Sequence, residues 1–275
     1  MRLFASLLIL CISMLVSSCT QPRYVYNPPV RNLHYFQKAG QSKLAAHWAT
    51  GSSRNDGGAS DTYNHGYDLQ GAYAISNHWA LMASYYNRKE SDNINTFASS
   101  NIQYSEINYK RNGSEFAASF FTPLAKGGES FFHIDGGIGF AKNSLVDRGT
   151  FDSLGLTRNY SDKMFRIFFQ PGIYTLMGAF QMGVGARVQW QFFDDVQTDY
   201  RPAELQAYSL SGLNQLFNFE PYFSLRYGPP SVPWLKGEVQ TGFTTVDKGY
   251  YVRGGFFSIG LAVDPFFKGT QRHGD

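Results

Sequence analysis

The sequence predicts an all-β fold: a transmembrane antiparallel barrel of about ten strands, carrying an N-terminal lipid-anchored tether. Three observations predict it. From Lys43 onward, apolar and polar residues alternate with period two. The connections between these stretches are alternately long and short, as in outer-membrane barrels. The polar face carries charges and glycines while the apolar face is aromatic and aliphatic, the reverse of a soluble lipocalin-like barrel. Composition removes the competing classes. The 275 residues are 43% hydrophobic and 17% aromatic, which excludes a disordered chain. Beyond the first twenty residues no apolar run approaches the roughly 18 residues of a spanning helix. A formal charge of +3 without a basic cluster gives no case for nucleic acid.

In chain order, Met1 and Arg2 precede an apolar run from Leu3 to Val16 and then Ser17-Ser18-Cys19, so residues 1–18 read as a secretory signal peptide. Val16-Ser17-Ser18-Cys19 resembles the bacterial lipobox, which implies cleavage before Cys19 and diacylglycerol and acyl (palmitate-type) lipid on Cys19. Cys11 leaves with the signal peptide, so no intramolecular disulfide is possible in the mature chain. No other cofactor and no metal site is indicated, because the six histidines are scattered without an HxxxH pair. Residues 19–42 read as a periplasmic tether, broken by Pro22, Pro28 and Pro29 and charged only by Arg23, Arg31 and Lys38. It is expected as a solvated linker, or as a basic segment against anionic headgroups.

Residues 43–267 are assigned to the barrel and 268–275 to a tail. Strands are expected near 43–50, 63–76, 79–90, 107–122, 130–144, 160–176, 180–194, 217–228, 234–246 and 251–263. Long connections fall at 51–62, 91–106, 145–159 and 195–216, short ones at Asn77-His78, 123–129, 177–179 and 228–233. The hairpin at Asp247-Lys248-Gly249 alone breaks the series. The seventh strand is the clearest: Phe180, Met182, Val184, Ala186, Val188, Trp190 and Phe192 oppose Gln181, Gly183, Gly185, Arg187, Gln189 and Gln191. Trp79 and Trp234 begin upward strands while Trp48 and Trp190 fall near the tops of theirs, the placement of two interfacial girdles. An even strand count puts both ends of the barrel on one side, that of the short turns, so the tether is expected to be periplasmic.

The same alternation sends Lys43, Arg88, Arg111, Arg166, Arg187, Arg226 and Lys236 inward, against Asp68, Glu90, Glu115, Asp135, Glu220 and Glu238. Near balance, with bulky Tyr86, Phe168, Tyr222 and Phe256 among them, predicts a lumen closed by ion pairs and aromatics. An ion-selective pore would need one sign in excess. Ten-stranded omptin proteases set two carboxylates opposite an Asp-His pair at the extracellular rim. Asp194-Asp195 and Asp61 with His65 sit near rims here but do not reproduce that arrangement. His133 and Asp135 share an inward face near the periplasmic end, where a polar network is expected, and His47 is a further inward histidine. Gly136-Gly137-Ile138-Gly139 lies within a strand and opens no phosphate-binding helix.

Arg23-Tyr24-Val25-Tyr26-Asn27-Pro28, Phe36-Gln37-Lys38-Ala39-Gly40 and Leu69-Gln70-Gly71-Ala72-Tyr73-Ala74-Ile75-Ser76-Asn77-His78-Trp79 together resemble small outer-membrane barrel lipoproteins of Bacteroidota. The resemblance covers the signal peptide and the first three strands, and implies location and fold but no activity. Surface lipoproteins of that group carry acids just after the lipidated Cys. Thr20-Gln21-Pro22 has none, which implies an anchor in the periplasmic leaflet. The function expected is that of a non-enzymatic structural or accessory subunit of an envelope complex. Its partners would be outer-membrane lipid and another envelope protein. The 195–216 loop, with Tyr200, Tyr208 and Leu213, is the candidate contact surface. A narrow channel for small solutes, or a rim hydrolase using Asp194 or His65, are the alternatives.

Overall fold

The computed structural model describes residues 23–52, 60–98, 101–124, 127–149, 156–246 and 250–265. The signal peptide, Cys19, the 247–249 hairpin and the 268–275 tail lie outside the described residues. Ten long strands close into one antiparallel ring. In chain order they are β2 (Ser42–Ser52), β3 (Ser60–Ala74), β4 (Trp79–Ala98), β5 (Asn101–Pro123), β6 (Ser130–Arg148), β7 (Thr157–Met177), β8 (Phe180–Thr198), β9 (Gln215–Tyr227), β10 (Leu235–Phe243) and β13 (Gly255–Val263). Each pairs with its sequence neighbour, and β13 pairs back onto β2 through nine residue pairs from Gly255↔Ser52 to Val263↔Leu44. Closure leaves no unpaired edge, which a sheet in hydrocarbon cannot tolerate.

Three short pieces complete the sheet structure: β1 (Tyr24–Tyr26), β11 (Thr245–Val246) and β12 (Tyr251–Val252). The expected ninth strand is split into β10 and β11, and the expected tenth into β12 and β13. Strand β12 leaves the wall to pair in parallel with β1 inside the barrel. The upper hairpins are longer than periodicity indicates. Strands β4 and β5 stay paired to Ala98↔Asn101, across most of the 91–106 stretch expected to be a loop. Ser91, Asn93, Glu106 and Asn108 keep the ladder but make its outward face polar, so the period-two signal fades while the strands continue.

Proline 171 sits inside β7 opposite Ile134 of β6, while the β7–β8 register passes from Phe169↔Val188 to Gly172↔Gly185. The residue that lacks an amide proton thus stands where the ladder to one neighbour is interrupted. The 195–216 segment is partly ordered. After β8 it forms a short helix, α1 (Pro202–Ala207), started by proline and by a reciprocal contact in which the Arg201 amide donates to Glu204 Oε2 at 2.6 Å. Arg201 and Arg158 hydrogen-bond the same carboxyl and hold it down at about 2.

The N-terminal segment requires a correction. Residues 23–36 are buried throughout and lie inside the barrel. They are neither a solvated tether nor a strip on headgroups. The described segment begins at the rim of the long loops, where Arg23 meets Asp147, the penultimate residue of β6. It ends at the rim of the short turns, where Gly40 N donates to Ala74 O at 2.8 Å. The first described residue therefore lies at the end opposite to the one that an even strand count suggests. That count placed the start of β2 correctly but took no account of a segment threaded back through the lumen.

Candidate functional site: a lumen sealed by the N-terminal segment

The segment 23–36 supplies Tyr24, Val25, Tyr26, Val30, Leu33, Tyr35 and Phe36 to two buried clusters, one near each rim. Pro28 and Pro29 hold its middle extended, so it descends the barrel without coiling. An extended chain in a lumen cannot satisfy its own backbone, so side chains of the wall must do so. They do so rung by rung. At the top, Arg23 donates to Asp147 Oδ2 through Nε at 3.0 Å and Nη2 at 2.6 Å, and its guanidinium lies 4.1 Å over the Tyr208 ring. Arg111 donates to the carbonyls of Tyr24 and Val25, and the Arg253 amide to that of Tyr26 at 2.9 Å. Asn27 donates to Glu90 Oε1 at 3.0 Å.

Mid-barrel, the Val30 amide donates to Asp68 Oδ1 at 3.2 Å. Gln240 brackets Arg31, accepting from its amide at 3.0 Å and donating to its carbonyl at 2.8 Å. The Arg31 guanidinium pairs with Glu220, both fully buried. Lower down, Asn32 donates to the carbonyls of Gly71 and Ala83 at 2.9 and 3.0 Å, and Lys43 to the Leu33 carbonyl at 2.7 Å. At the short-turn rim the Tyr174 hydroxyl donates to the Phe36 carbonyl. Tyr35 adopts a left-handed φ of 59° where the segment turns toward β2, and its ring packs against β8. A Cβ on Gly183 would come within 2.9 Å of the Tyr35 hydroxyl, so glycine there lets segment and wall approach.

One rung is a clasp of histidines. His34 of the segment joins His133 and Asp135 of β6, with ligand-type atoms within 4.8 Å of one another. Every one of these side chains already has protein partners. The Phe36 amide donates to His34 Nδ1 at 3.2 Å, which leaves Nε2 to donate to Ser119 Oγ at 2.7 Å in the neutral ring. His133 Nδ1 lies 3.1 Å from Asp135 Oδ1 and Nε2 lies 3.4 Å from the Tyr222 hydroxyl, while Gln170 donates to Asp135 Oδ2 at 2.8 Å. His34 fastens the segment to the wall through Ser119 of β5, and its ring meets that of His133 edge-on at 5.6 Å, while the His133–Asp135 pair bonds within the wall.

The ten lumen charges read from alternation are all buried inside the wall: Lys43, Asp68, Arg88, Glu115, Asp135, Arg166, Arg187, Glu220, Arg226 and Glu238. Glu115 receives Arg166 at 2.9 Å and Arg187 at 2.8 Å; Glu238 receives Lys43 at 3.3 Å and Arg226 at 3.5 Å; Arg88 pairs with Asp68. Sequence reasoning missed the cations of the segment itself, Arg23 and Arg31, together with Asp147 and the Arg253–Asp92 pair near the upper rim. The signal was present in the segment's own residues. Seven aromatic and aliphatic side chains in fourteen positions are too many for a solvated linker.

The loop residues offered as a partner surface are corrected as well. Tyr200 and Leu213 are buried, and Tyr208 half-buried, in the upper cluster with Tyr24, Val25 and Tyr26. The Tyr200 hydroxyl donates to Asp147 Oδ2 at 2.7 Å, on the carboxylate that holds Arg23. This loop covers the barrel mouth because its apolar side chains find the segment there. The hydrolase residues do not converge. Asp194 and His65 stand on the outward faces of β8 and β3, five strands apart in a ring of ten, and so on opposite walls. The side chain of Asp61 lies outside the described residues.

The outer face is apolar across the height of the barrel, with Leu44, Phe116, Ile167, Phe169, Val184 and Leu261 exposed. Trp48, Trp79, Trp190 and Trp234 are each about half exposed on that face, the first and third toward the long loops and the others at the short-turn rim. No family model matches the chain, and no curated protein matches it. Among solved structures it is similar to the translocator domain of autotransporter NalP from Neisseria meningitidis, at 12% identity and a TM-score of 0.49 over 83% of this chain and 89% of that one. It is also similar to Ail, the attachment invasion locus protein of Yersinia pestis, at 13% and 0.34 over 82% and 98%. OprG of Pseudomonas aeruginosa gives 12% and 0.34 over 82% and 96%. The fold is that of an outer-membrane β-barrel, as the chain's own closed ring and apolar exterior require. An arginine at outward Phe169, midway along the apolar part of β7, is expected to cost about 2–4 kcal/mol of folding free energy in lipid vesicles, measured by urea titration.

Proposed function

We propose that this chain is a lipid-anchored outer-membrane barrel, related to the small barrel lipoproteins of Bacteroidota, that serves the envelope as a structural or accessory subunit and conducts no solute. The observation that carries this reading is the occlusion of the lumen by residues 23–36, bonded to the wall at every level. A conduit needs a continuous wet path, and here ion pairs, aromatics and a polypeptide segment occupy it. Catalysis needs groups converging on a substrate position, and Asp194 and His65 face lipid or solvent on opposite walls.

With the upper loop folded over its own barrel, a partner would meet the exposed surface of that loop, such as Arg201, Gln206 and Ser211, rather than its aliphatic residues. The test is purification of the tagged, lipidated protein from native outer membranes in mild detergent, with mass spectrometry and liposome conductance on the same material. A stoichiometric companion and a silent lumen are expected. A monomer alone would remove the subunit reading, and solute flux would return the channel to first place.

A further inference from the structure

We infer that the lipid on Cys19 is held on the long-loop side of the membrane, in the outer leaflet, because the barrel threads its own N-terminus through its lumen. This deepens the proposed function and rests on its two readings: that Cys19 is acylated and that the long loops face outward. The path of the segment fixes the direction. Its wall contacts climb down in strict order: Asp147 with residue 23, Glu90 with 27, Asp68 with 30, Ser119 with 34, and Asn77, in a short turn, with 39. Strand β1 runs parallel to β12 and therefore in the direction of β13, from the long loops toward the short turns.

Chain reach then decides between the leaflets. Four residue steps separate Cys19 from Arg23, which allows about 14 Å at full extension. The apolar band of an outer-membrane barrel is about 25 Å tall. Arg23 is locked at the upper rim by Asp147 and Tyr208, so the sulfur of Cys19 cannot return to the periplasmic leaflet by any route. Thr20-Gln21-Pro22 carries no acidic surface-export signal, and threading removes the need for one.

The experiment uses impermeant maleimide on intact cells, with thiols placed one at a time at Gln21→Cys, Ser211→Cys and Lys38→Cys in the full-length chain. Each variant is first checked for heat-modifiable migration as evidence of folding. Ser211 is exposed in the long β8–β9 connection and Lys38 at the short-turn rim, so they report the two sides. The result expected is equal labelling of Gln21→Cys and Ser211→Cys on intact cells, with Lys38→Cys labelled at least tenfold less until the outer membrane is permeabilised. Labelling of Gln21→Cys together with Lys38→Cys, while Ser211→Cys reacts from outside, would overturn the threading. Labelling of Lys38→Cys alone on intact cells would overturn the orientation of the barrel, and with it the outer-leaflet placement. Incorporation of radiolabelled palmitate into the wild type and not into Cys19→Ser tests the acylation separately, and its absence would remove the lipid.

Discussion

Replacing residues 23–36 by a glycine-serine linker of equal length converts a silent barrel into a conducting one: step-like openings in planar bilayers are expected where the native chain gives none. The replaced segment contributes Arg23, Tyr24, Tyr26, Arg31, His34, Tyr35 and Phe36, all buried, to the inside of the wall. A linker of glycine and the small serine fills little of that volume and takes away the arginine partners of Asp147 and Glu220 and the His34 ring beside the His133–Asp135 pair. Water then solvates the uncovered carboxylates, because leaving them buried without their arginines is the more costly state. Cation preference is the expected selectivity, since the loss of two arginines leaves acids in excess among the described lumen groups. If the linker variant folds and stays closed, the wall seals itself and the segment is a passenger.

The second large effect belongs to a single side chain. Arg31→Ala is expected to cost about 3–5 kcal/mol, because it leaves Glu220 buried with only the Thr244 hydroxyl, at 3.2 Å, and its weaker neighbours for company. Pairing it with Glu220→Gln removes the orphaned charge and is expected to restore most of the loss. Urea unfolding midpoints in vesicles read both variants. The exposed pair between Lys163 and Asp195, 2.7 Å apart, provides the control. Water screens that pair, so Lys163→Ala leaves the midpoint where it was. The same kind of contact thus has opposite weight on the two faces of one wall.

The ring of strands was legible in the sequence because each wall residue faces one of two unlike solvents, and alternation records that choice residue by residue. Arg187, Gln189 and Gln191 against Val188, Trp190 and Phe192 needed no structure to be sorted. The upper hairpins were less legible, since there the outward face of β4 and β5 turns polar at Ser91, Asn93 and Asn108 while the inward one mixes Asp92 with Ile107 and Tyr109, and the contrast between the faces is lost. The segment 23–36 was misjudged for a different reason. Its aromatics have no period, because an extended chain surrounded on all sides by wall has no outer face to keep polar. Loop residues Tyr200 and Leu213 were misjudged with it, since their apolar character answers to the segment beneath them rather than to a partner.

The most direct test of the sealed lumen is thiol protection at Val30, which is 1% exposed in the middle of the segment. Val30→Cys is placed in a Cys11→Ser, Cys19→Ala background, which leaves no other thiol in the sequence, and the folded protein in vesicles is treated with a water-soluble maleimide from both sides. The account predicts no modification until the protein is unfolded, while Gln37→Cys, at the exposed end of the same segment, reacts at once. Modification of Val30→Cys in the folded barrel at a rate close to that of Gln37→Cys would contradict it, and would return the N-terminal residues to the periplasm as a free tether.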